Sequence, residues 1–405
     1  MPRGLLSASL FAAGYGPYYA ARTLMNQPHS FPSSWSFAEE ITVATLRHVS
    51  KDTNASTVRS IIKLSQDRSI AAYNGYGFKS VSIPVYDPEM PHIHSIQGAW
   101  IGDPATLPDQ NGQFPPDSQC SWDDVIVMMW AHGGGYGVGN VSLFAHVFGK
   151  FANDFNHLSK RSNQTLVPRQ HLGRQARPKK LVIFSMEYPL APEYRYPTQI
   201  DFARAVYRWL TETVGAKHIL VGGESAGGNL TLAFLQKLSA MEHVSVRPFA
   251  AVLFSPWVDL SGKFTPEAVQ HRLADTSDYL NPAIVHEWAD EYTGNAGIKQ
   301  EIDPLSPLVS PLYMEDYSAV LAPLKGLSVC YGTGELFAPQ IEEFLRRCHR
   351  STPPLPYPVH EIVGDDMPHD FPFLFATLPA GPGKKKSKRA FSSTLVWLVE
   401  QSLSL

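Results

Sequence analysis

Two glycine-rich segments of this 405-residue chain could together support attack by a serine hydroxyl. Residues 223–227, Gly-Glu-Ser-Ala-Gly, have the form G-x-S-x-G, in which small neighbours allow a serine to occupy a sharp turn between a strand and a helix. Residues 132–135, His-Gly-Gly-Gly, could bring backbone N–H groups close to a developing negative charge. We call residues 223–227 the nucleophile elbow and residues 132–135 the oxyanion loop. Their joint presence, in this order, indicates nucleophilic catalysis by Ser225.

Both motifs follow short apolar segments typical of central strands in a parallel sheet. Residues 124–131 lead into the oxyanion loop, and residues 218–222 lead into the nucleophile elbow. After the elbow, Leu230, Phe234 and Leu238 are spaced four residues apart, which predicts a helix. The sequence therefore predicts a strand, a turn at the serine and a helix, which is the context that a nucleophile elbow requires.

The serine needs a base, and the base needs an acid to orient it. In sheets with this elbow the chain order is serine, acid, histidine, with the last two on loops after the final two strands. Glu335 follows the apolar segment 327–331, and His369 follows the segment 357–363. His369 is therefore the candidate base and Glu335 the candidate acid.

Other residues compete with Glu335 and His369 for these roles. Asp303 is an alternative acid, although it precedes the strand at 327–331. Asp365 and Asp366 are also alternatives, although they share a loop with His369, a position that seldom suits an orienting acid. His360 lies inside the last predicted strand and is a poorer candidate for the base.

Composition indicates a globular enzyme without a cofactor. The chain is 44% hydrophobic with a formal net charge of −3, which gives no reason to expect nucleic acid or an anionic membrane as a partner. Cys120, Cys330 and Cys348 form neither a disulfide framework nor a zinc motif. No nucleotide-binding or metal-binding pattern is present, so we expect neither a cofactor nor a metal.

The order of apolar and helical segments predicts a doubly wound, mostly parallel α/β sheet. Residues 1–75 are mostly helical in pattern, residues 76–405 form the α/β domain, and residues 78–102 resemble a hairpin whose Pro84 indicates an edge strand. The polar segment 157–179 is interpreted as a surface insertion. Further strands are expected at 180–186 and 249–254, helices at 200–210 and 393–403, and a solvated basic loop at 384–389.

The N-terminal segment has two interpretations. Arg3 and the apolar residues 5–13 weakly resemble a secretory signal, but they also suit the first helix of a cap over the site, which we favour. The stretch is too short to span a membrane. Two glycosylation sequons, at Asn140 and Asn229, lie beside the motifs, where a glycan would obstruct the site. We expect a cytoplasmic protein, or one in the endoplasmic reticulum or secreted if residues 1–20 act as a signal.

Five segments together resemble the hormone-sensitive-lipase-like family of α/β-hydrolases. They are residues 132–135 (HGGG), 187–193 (EYPLAPE), 223–228 (GESAGG), 255–259 (SPWVD) and 306–308 (SPL). The resemblance implies the α/β-hydrolase fold, ester hydrolysis, and a helical cap formed by residues 1–75 and 261–320. It also implies an oxyanion hole made by the N–H groups of Gly134, Gly135 and Ala226, with His132 and Gly133 anchoring the loop. The glutamate at 335, where the family usually has aspartate, resembles the steryl-acetyl-hydrolase-like branch.

These observations lead to a functional expectation with two alternatives. We expect a serine ester hydrolase acting through an acyl-enzyme on short-acyl esters of a lipophilic alcohol, such as a deacetylase of a sterol or a secondary metabolite. An amidase or formamidase could use the same triad, and some relatives on this fold are non-catalytic receptors, although those tend to lose the histidine retained here. The expected partner is a small-molecule ester, and the sequence carries no indication of oligomeric state. The residues expected to line the pocket are Tyr136, Trp257, Phe337 and Phe371.

Overall fold

The computed structural model describes residues 31–52, 58, 59, 75–85, 90–165, 179–294, 302–403 and 405. A single eight-stranded sheet lies at its centre. In chain order the strands are β1 (Gly77–Pro84), β2 (Ser95–Gly102), β3 (Val125–Ala131), β4 (Lys180–Met186), β5 (His218–Glu224), β6 (Ala250–Phe254), β7 (Gly326–Gly332) and β8 (His360–Gly364).

The order of strands across the sheet is β1-β2-β4-β3-β5-β6-β7-β8. β1 and β2 form an antiparallel hairpin, and β2 pairs antiparallel with β4. All other pairs are parallel. The predicted doubly wound sheet is thus confirmed, as are the hairpin and the position of β1 at the edge. Because β3, β5, β7 and β8 run in the same direction, their carboxyl ends lie along one rim of the sheet.

Helices cover both faces of the sheet. In chain order they are α1 (Phe37–Asp52), α2 (Ala145–Thr165), α3 (Thr198–Arg208), α4 (Ala226–Ser239), α5 (Glu267–Thr276), α6 (Pro282–Thr293), α7 (Tyr317–Leu321), α8 (Ala338–His349), α9 (Phe371–Ala376) and α10 (Pro382–Ser402). α3 continues into a π-helical turn at Trp209–Thr213. Helices therefore lie on both faces of the parallel part of the sheet, as strands buried on both faces require.

The chain has two hydrophobic cores, one on each face of the sheet. Alternate side chains of a strand point to opposite faces, so β3 contributes to both cores and all seven of its residues are buried. Val125, Val127, Met129 and Ala131 belong to the core under α3 and α4, whereas Ile126, Met128 and Trp130 belong to the core under α2 and α10. This burial on both sides explains why β3 has a continuous apolar sequence.

One local prediction was wrong. Residues 384–389 belong to α10, which begins at Pro382, a residue suited to the first position of a helix. Gly383, Ser387, Ala390 and Thr394 are buried at helical spacing, so the neighbouring lysines form the solvated side of a helix and not a loop. α2 continues to Thr165, so the first part of the segment 157–179 is helical; residues 166–178 lie outside the described residues.

The described part of the N-terminal region packs on the rim of the sheet that carries the site. Trp35 donates its indole N–H to Asp366 O in the loop after β8. Arg47 and Ser50 of α1 donate to the backbone of Asp278 and Tyr279, between α5 and α6. Residues 1–20, with the possible signal, lie outside the described residues. No helix in the described ranges combines the length and apolar character needed to cross a bilayer.

Candidate active site

Ser225 occupies a strained turn between β5 and α4. Its backbone has φ 55° and ψ −121°, a conformation that L-residues rarely adopt and that is found at functional turns. The turn is held by its N–H, which donates to Phe254 O at 3.0 Å, and by its carbonyl, which accepts from Trp257 N at 3.0 Å. The backbone of β6 and of the segment after it therefore fixes the position of the serine. Only 7% of the surface of Ser225 is exposed.

The elbow tolerates only glycine at its closest contact with β3. A Cβ atom on Gly227 would lie 1.9 Å from Ala131 O, a distance that no side chain can occupy. A Cβ on Gly133 would lie 3.0 Å from the Cβ of Ser225. The oxyanion loop thus passes directly beside the serine, and the two glycine motifs form one site.

A buried glutamate holds the oxyanion loop in place. Glu224 accepts from Gly133 N at 2.6 Å through Oε1 and from Trp130 Nε1 at 2.7 Å through Oε2. Burial raises the pKa of Glu224 to about 8, against the opposing effect of these hydrogen bonds. Glu224 connects the elbow, β3 and the oxyanion loop through one carboxyl group.

His132 lies in the wall of the loop and makes no contact with Ser225. Its ring stacks on Tyr188 with centroids 4.2 Å apart, and its Nδ1 lies 2.8 Å from Gly133 O. Tyr188 donates its hydroxyl to His132 O at 2.6 Å. Burial lowers the pKa of His132 to about 4, so the ring is neutral at physiological pH. These contacts fit the expected role of a loop anchor.

The N–H groups expected to form an oxyanion hole are available to a ligand. Gly134 and Gly135 have φ of 105° and 60°, and within the described chain neither N–H has a protein acceptor. Ala226 is the first residue of α4, where N–H groups have no acceptor within the helix. Trp288 of α6 covers the loop, since a Cβ on Gly135 would lie 2.2 Å from its ring. The oxyanion loop therefore carries two backbone donors for which the described residues supply no acceptor, and Trp288 packs on Gly135.

His369 follows β8 and is almost fully buried. Its Nδ1 lies 3.9 Å from Glu335 Oε1, and its Nε2 lies 3.3 Å from Asp370 Oδ2. The edge of the Phe337 ring packs on the imidazole at 5.0 Å. In this structure the ring is placed between two carboxyl groups and makes no hydrogen bond to Ser225. Longer catalytic distances are common where no substrate is bound.

Glu335 follows β7 and has no exposed surface. Its Oε2 accepts from Ser255 Oγ at 2.6 Å and from Gly332 N at 3.2 Å, which leaves Oε1 directed at the imidazole. Burial raises the pKa of Glu335 to about 8 and lowers that of His369 to about 4. The low-dielectric surroundings therefore favour the neutral form of the pair in the resting state.

The sequence of this chain matches a known family over the region that carries the elbow, Glu335 and His369. Residues 161–373, just over half of the chain, match the family model described as the alpha/beta hydrolase fold. This chain belongs to the α/β-hydrolase fold family.

Individual relatives and solved structures agree with that assignment. An esterase of Acinetobacter venetianus is 31% identical over 139 residues, which cover 33% of this chain and 41% of that protein. An acetyl-hydrolase of Streptomyces hygroscopicus is 30% identical over 135 residues, covering 32% and 40%. The chain thus spans about two fifths of the length of these curated relatives. The fold resembles the crystal structure of an esterase from the bacterial hormone-sensitive lipase family, with a TM-score of 0.61, 21% identity and coverage of 90% and 98%.

The other candidate acids of this α/β-hydrolase lie away from the imidazole. Asp303 is exposed and accepts from Leu305 N, as in a local turn. Asp365 and Asp366 are exposed on the loop before His369. His360 lies in β8, where its ring meets Ser328 Oγ at 3.0 Å. Of the acids weighed from the sequence, only Glu335 is brought to His369.

The four expected pocket residues are all buried, and they fall into two groups. Trp257 and Phe337 stack with centroids 5.5 Å apart and line a small cavity of about 10 Å³. Tyr136 instead stacks on Tyr292, and its hydroxyl donates to Asn229 Oδ1 at 2.6 Å. Phe371 packs in the core under α10. Phe337 thus packs on the imidazole and Trp257 stacks on Phe337, whereas Tyr136 and Phe371 belong to the packing around the site.

Three polar residues at the site were not identified from the sequence. Ser255, with φ 42°, donates to Glu335 and accepts from Asp370 N at 3.1 Å. Asp370 faces the imidazole, and Asp278 contacts the backbone of both loops that carry the pair. Ser255 belongs to the segment 255–259 and Asp370 directly follows His369, so their positions in the sequence could have identified them. Asp278 has no such signal, because its partners lie far away in the chain.

We expect Gly227→Ala to destabilise the fold by about 1–3 kcal/mol or more, because the added methyl group must displace the backbone of Ala131. Thermal and urea unfolding, each followed by circular dichroism, measure the effect. Lys237→Ala, on the same helix and without a tight contact, is the control. Equal stability of the two variants would show that the elbow does not need glycine here.

Proposed function

We propose that this α/β-hydrolase is a serine carboxylic-ester hydrolase that acts through an acyl-enzyme. The observation that carries the proposal is the position of Ser225 on a strained elbow directly beside the oxyanion loop. The placement of His369 and Glu335 on the loops after the next strands along the same rim supports it. The names of the relatives, an esterase and an acetyl-hydrolase, agree with ester hydrolysis.

In the proposed reaction Ser225 Oγ attacks the ester carbonyl while His369 Nε2 takes the hydroxyl proton. The imidazole must first turn towards the serine from Asp370, whose Oδ2 lies 3.3 Å from Nε2. The protonated imidazole then donates to the leaving alcohol. Water, activated by the same nitrogen, hydrolyses the acyl-enzyme and regenerates the serine.

Glu335 would select the imidazole tautomer that this reaction needs. When the carboxyl is ionised it favours a proton on Nδ1, which leaves the lone pair of Nε2 free to accept the serine proton. When it is protonated it favours the opposite tautomer. Because burial raises the pKa of Glu335 to about 8, activity should decline on the acid side as this group takes up its proton.

The negative charge on the tetrahedral intermediate would be stabilised by Gly134, Gly135 and Ala226. Their N–H groups have no protein acceptor or stand at the start of a helix, whose dipole also favours an anion. Removing a donor of this kind typically raises the barrier by about 3 kcal/mol. The close cover of Trp288 on the loop excludes water and strengthens these hydrogen bonds.

We further propose that the substrates are short-acyl esters of a lipophilic alcohol, such as an acetylated sterol or secondary metabolite. Phe337 packs on the imidazole and stacks on Trp257, and Trp288 packs on Gly135; these aromatic rings favour apolar groups. The serine is largely covered, so little room remains for a long acyl chain.

Ser225→Ala should retain the fold and abolish both ester hydrolysis and labelling by a fluorophosphonate, because the nucleophile is absent. The measurements are turnover of 4-nitrophenyl acetate and gel detection of the label. Ser239→Ala is a useful comparison because it removes a serine hydroxyl at the far end of α4, where it donates to Gln236 O, and should still be labelled. Labelling of the Ser225 variant would refute the assignment, and an unlabelled wild-type protein would favour a non-catalytic receptor.

Glu335→Gln should lower kcat by about 10³- to 10⁴-fold with little loss of stability, since an amide favours the wrong tautomer and cannot stabilise the imidazolium. Glu335→Asp should keep partial activity because it keeps the charge. The control variants are Asp303→Asn, Asp365→Asn and Asp366→Asn, which should each cost far less. A larger loss in Asp365→Asn or Asp366→Asn than in Glu335→Gln would transfer the acid role to that residue.

We expect kcat/KM to be highest for acetate and to decrease towards decanoate in a series of 4-nitrophenyl esters, because the covered site limits the acyl group. A matched acetyl amide, measured beside the acetyl ester, tests the alternative of an amidase. Higher kcat/KM on decanoate than on acetate would contradict the size limit. Faster turnover of the amide would change the reaction class and leave the triad intact.

A further inference from the structure

Asp278 lies between the two cap helices α5 and α6. Its side chain is fully buried against the rim of the sheet that carries the proposed triad loops. Its Oδ2 accepts from Leu336 N at 2.5 Å. Its Oδ1 accepts from His369 N at 3.2 Å and from Tyr279 N at 2.8 Å. One carboxyl group therefore binds the backbone of three separate residues.

Two of those three donors belong to the proposed triad loops. Leu336 directly follows Glu335, and the other N–H is that of His369 itself. The neighbouring Ser277 strengthens the connection, because its Oγ donates to Gly334 O at 2.7 Å. Residues 277–279, which we call the cap linker, thus hold the acid loop on both sides of Glu335 and the histidine loop at His369.

The charges around the imidazole are predominantly acidic. Glu335 from the loop after β7, Asp370 from the histidine loop, Asp278 from the cap linker and Glu224 from the elbow all face this region, and the hydroxyl of Tyr279 lies beside them. Arg47 of α1 contacts the cap linker through the carbonyl of Asp278 and not through its carboxyl. In the proposed reaction His369 becomes an imidazolium when it takes the proton of Ser225. Its positive charge would then lie among these carboxyl groups.

The carboxyl of Asp278 is also electrostatically coupled to the imidazole. Burial raises the pKa of Asp278, while His369 and the N–H donors act in the opposite direction. The negative charge of Asp278 in turn raises the pKa of His369, against the larger effect of burial. Hydrogen bonds from three N–H groups to both oxygens favour the ionised form.

We infer that Asp278 is a positioning residue for the proposed hydrolytic reaction, which holds the Glu335 and His369 loops in register and stabilises the protonated imidazole. The inference rests on the proposed function. It assigns to the cap a role in catalysis besides covering the substrate. The same helix pair carries Trp288 onto Gly135, so the cap linker connects substrate cover, acid and base.

The test is Asp278→Asn, which keeps the size of the side chain but replaces one acceptor by a donor that faces an N–H group. Rates are normalised to active sites titrated with a fluorophosphonate, so misfolded protein does not count. We expect kcat on 4-nitrophenyl acetate to fall by about 10- to 100-fold with little change in KM, because small displacements of catalytic groups have effects of this size.

The pH profile separates this role from a merely structural one. The charge of Asp278 favours protonation of both His369 and Glu335, so its removal lowers both pKa values. The acid limb of kcat/KM should therefore move to lower pH in Asp278→Asn. Asp278→Glu keeps the charge but displaces it, so its acid limb should stay near that of the wild type while kcat falls.

Asp275→Asn is the matched control, since it removes one charge three residues earlier from an exposed side chain. An unchanged kcat and acid limb in Asp278→Asn, with only a lower melting temperature, would overturn the inference. The same shift in Asp275→Asn would also overturn it, since the effect would then be one of net charge. Absence of hydrolysis and labelling in the wild type would instead refute the proposed function, and the inference with it.

Discussion

The site depends on buried carboxyl groups that accept hydrogen bonds from the backbone of loops. Glu224 holds the oxyanion loop through Gly133 N, and Asp278 holds the acid and histidine loops. Glu187, which is half-buried, holds the segment after the oxyanion loop through Val141 N. A buried carboxyl is costly unless it is hydrogen-bonded, and its bonds to N–H groups are correspondingly strong. Loops that would otherwise be variable are therefore fixed where the chemistry is proposed.

The parallel sheet explains why these loops can meet. The oxyanion loop, the elbow, the acid loop and the histidine loop follow β3, β5, β7 and β8, whose carboxyl ends share one rim. Ser255 follows β6 on the same rim, and its hydroxyl forms hydrogen bonds with Glu335 and with the backbone N–H of Asp370. The second support comes from outside the sheet, because α1 and the cap linker pack on the same rim. The site is thus held from the sheet on one side and from the cap on the other.

The electrostatic consequence is a site with more carboxyl groups than cations. Burial raises the pKa of four carboxyl groups, those of Glu224, Asp278, Glu335 and Asp370. The total negative charge of the cluster is therefore smaller than four. In the proposed reaction, a positive charge on His369 would meet surroundings already arranged to stabilise it. Preorganised groups of this kind need no rearrangement at the moment of reaction.

The sequence by itself determined the elements whose causes are local. The elbow was visible because a strained turn leaves no room for a side chain at Gly227, where an added Cβ would lie 1.9 Å from Ala131 O. Continuous apolar segments revealed β3 and β5 because both faces of these strands are buried. The order of strands and motifs then placed Glu335 and His369, since parallel strands end on one rim.

Only the tertiary structure decided the features that depend on distant contacts. Asp278 is 91 positions from His369 in the chain, and no local pattern indicates that the two will meet. The basic residues 384–389 were expected in a loop because charge dominates their sequence, yet the second core selects a helix that buries Ser387 and Ala390. Tyr136 and Phe371 are aromatic residues beside motifs and were expected in the pocket, yet Tyr136 stacks on Tyr292 and Phe371 packs in the core under α10. Local sequence limits the backbone conformation, whereas long-range packing determines which polar side chains are buried together and so acquire unusual chemistry.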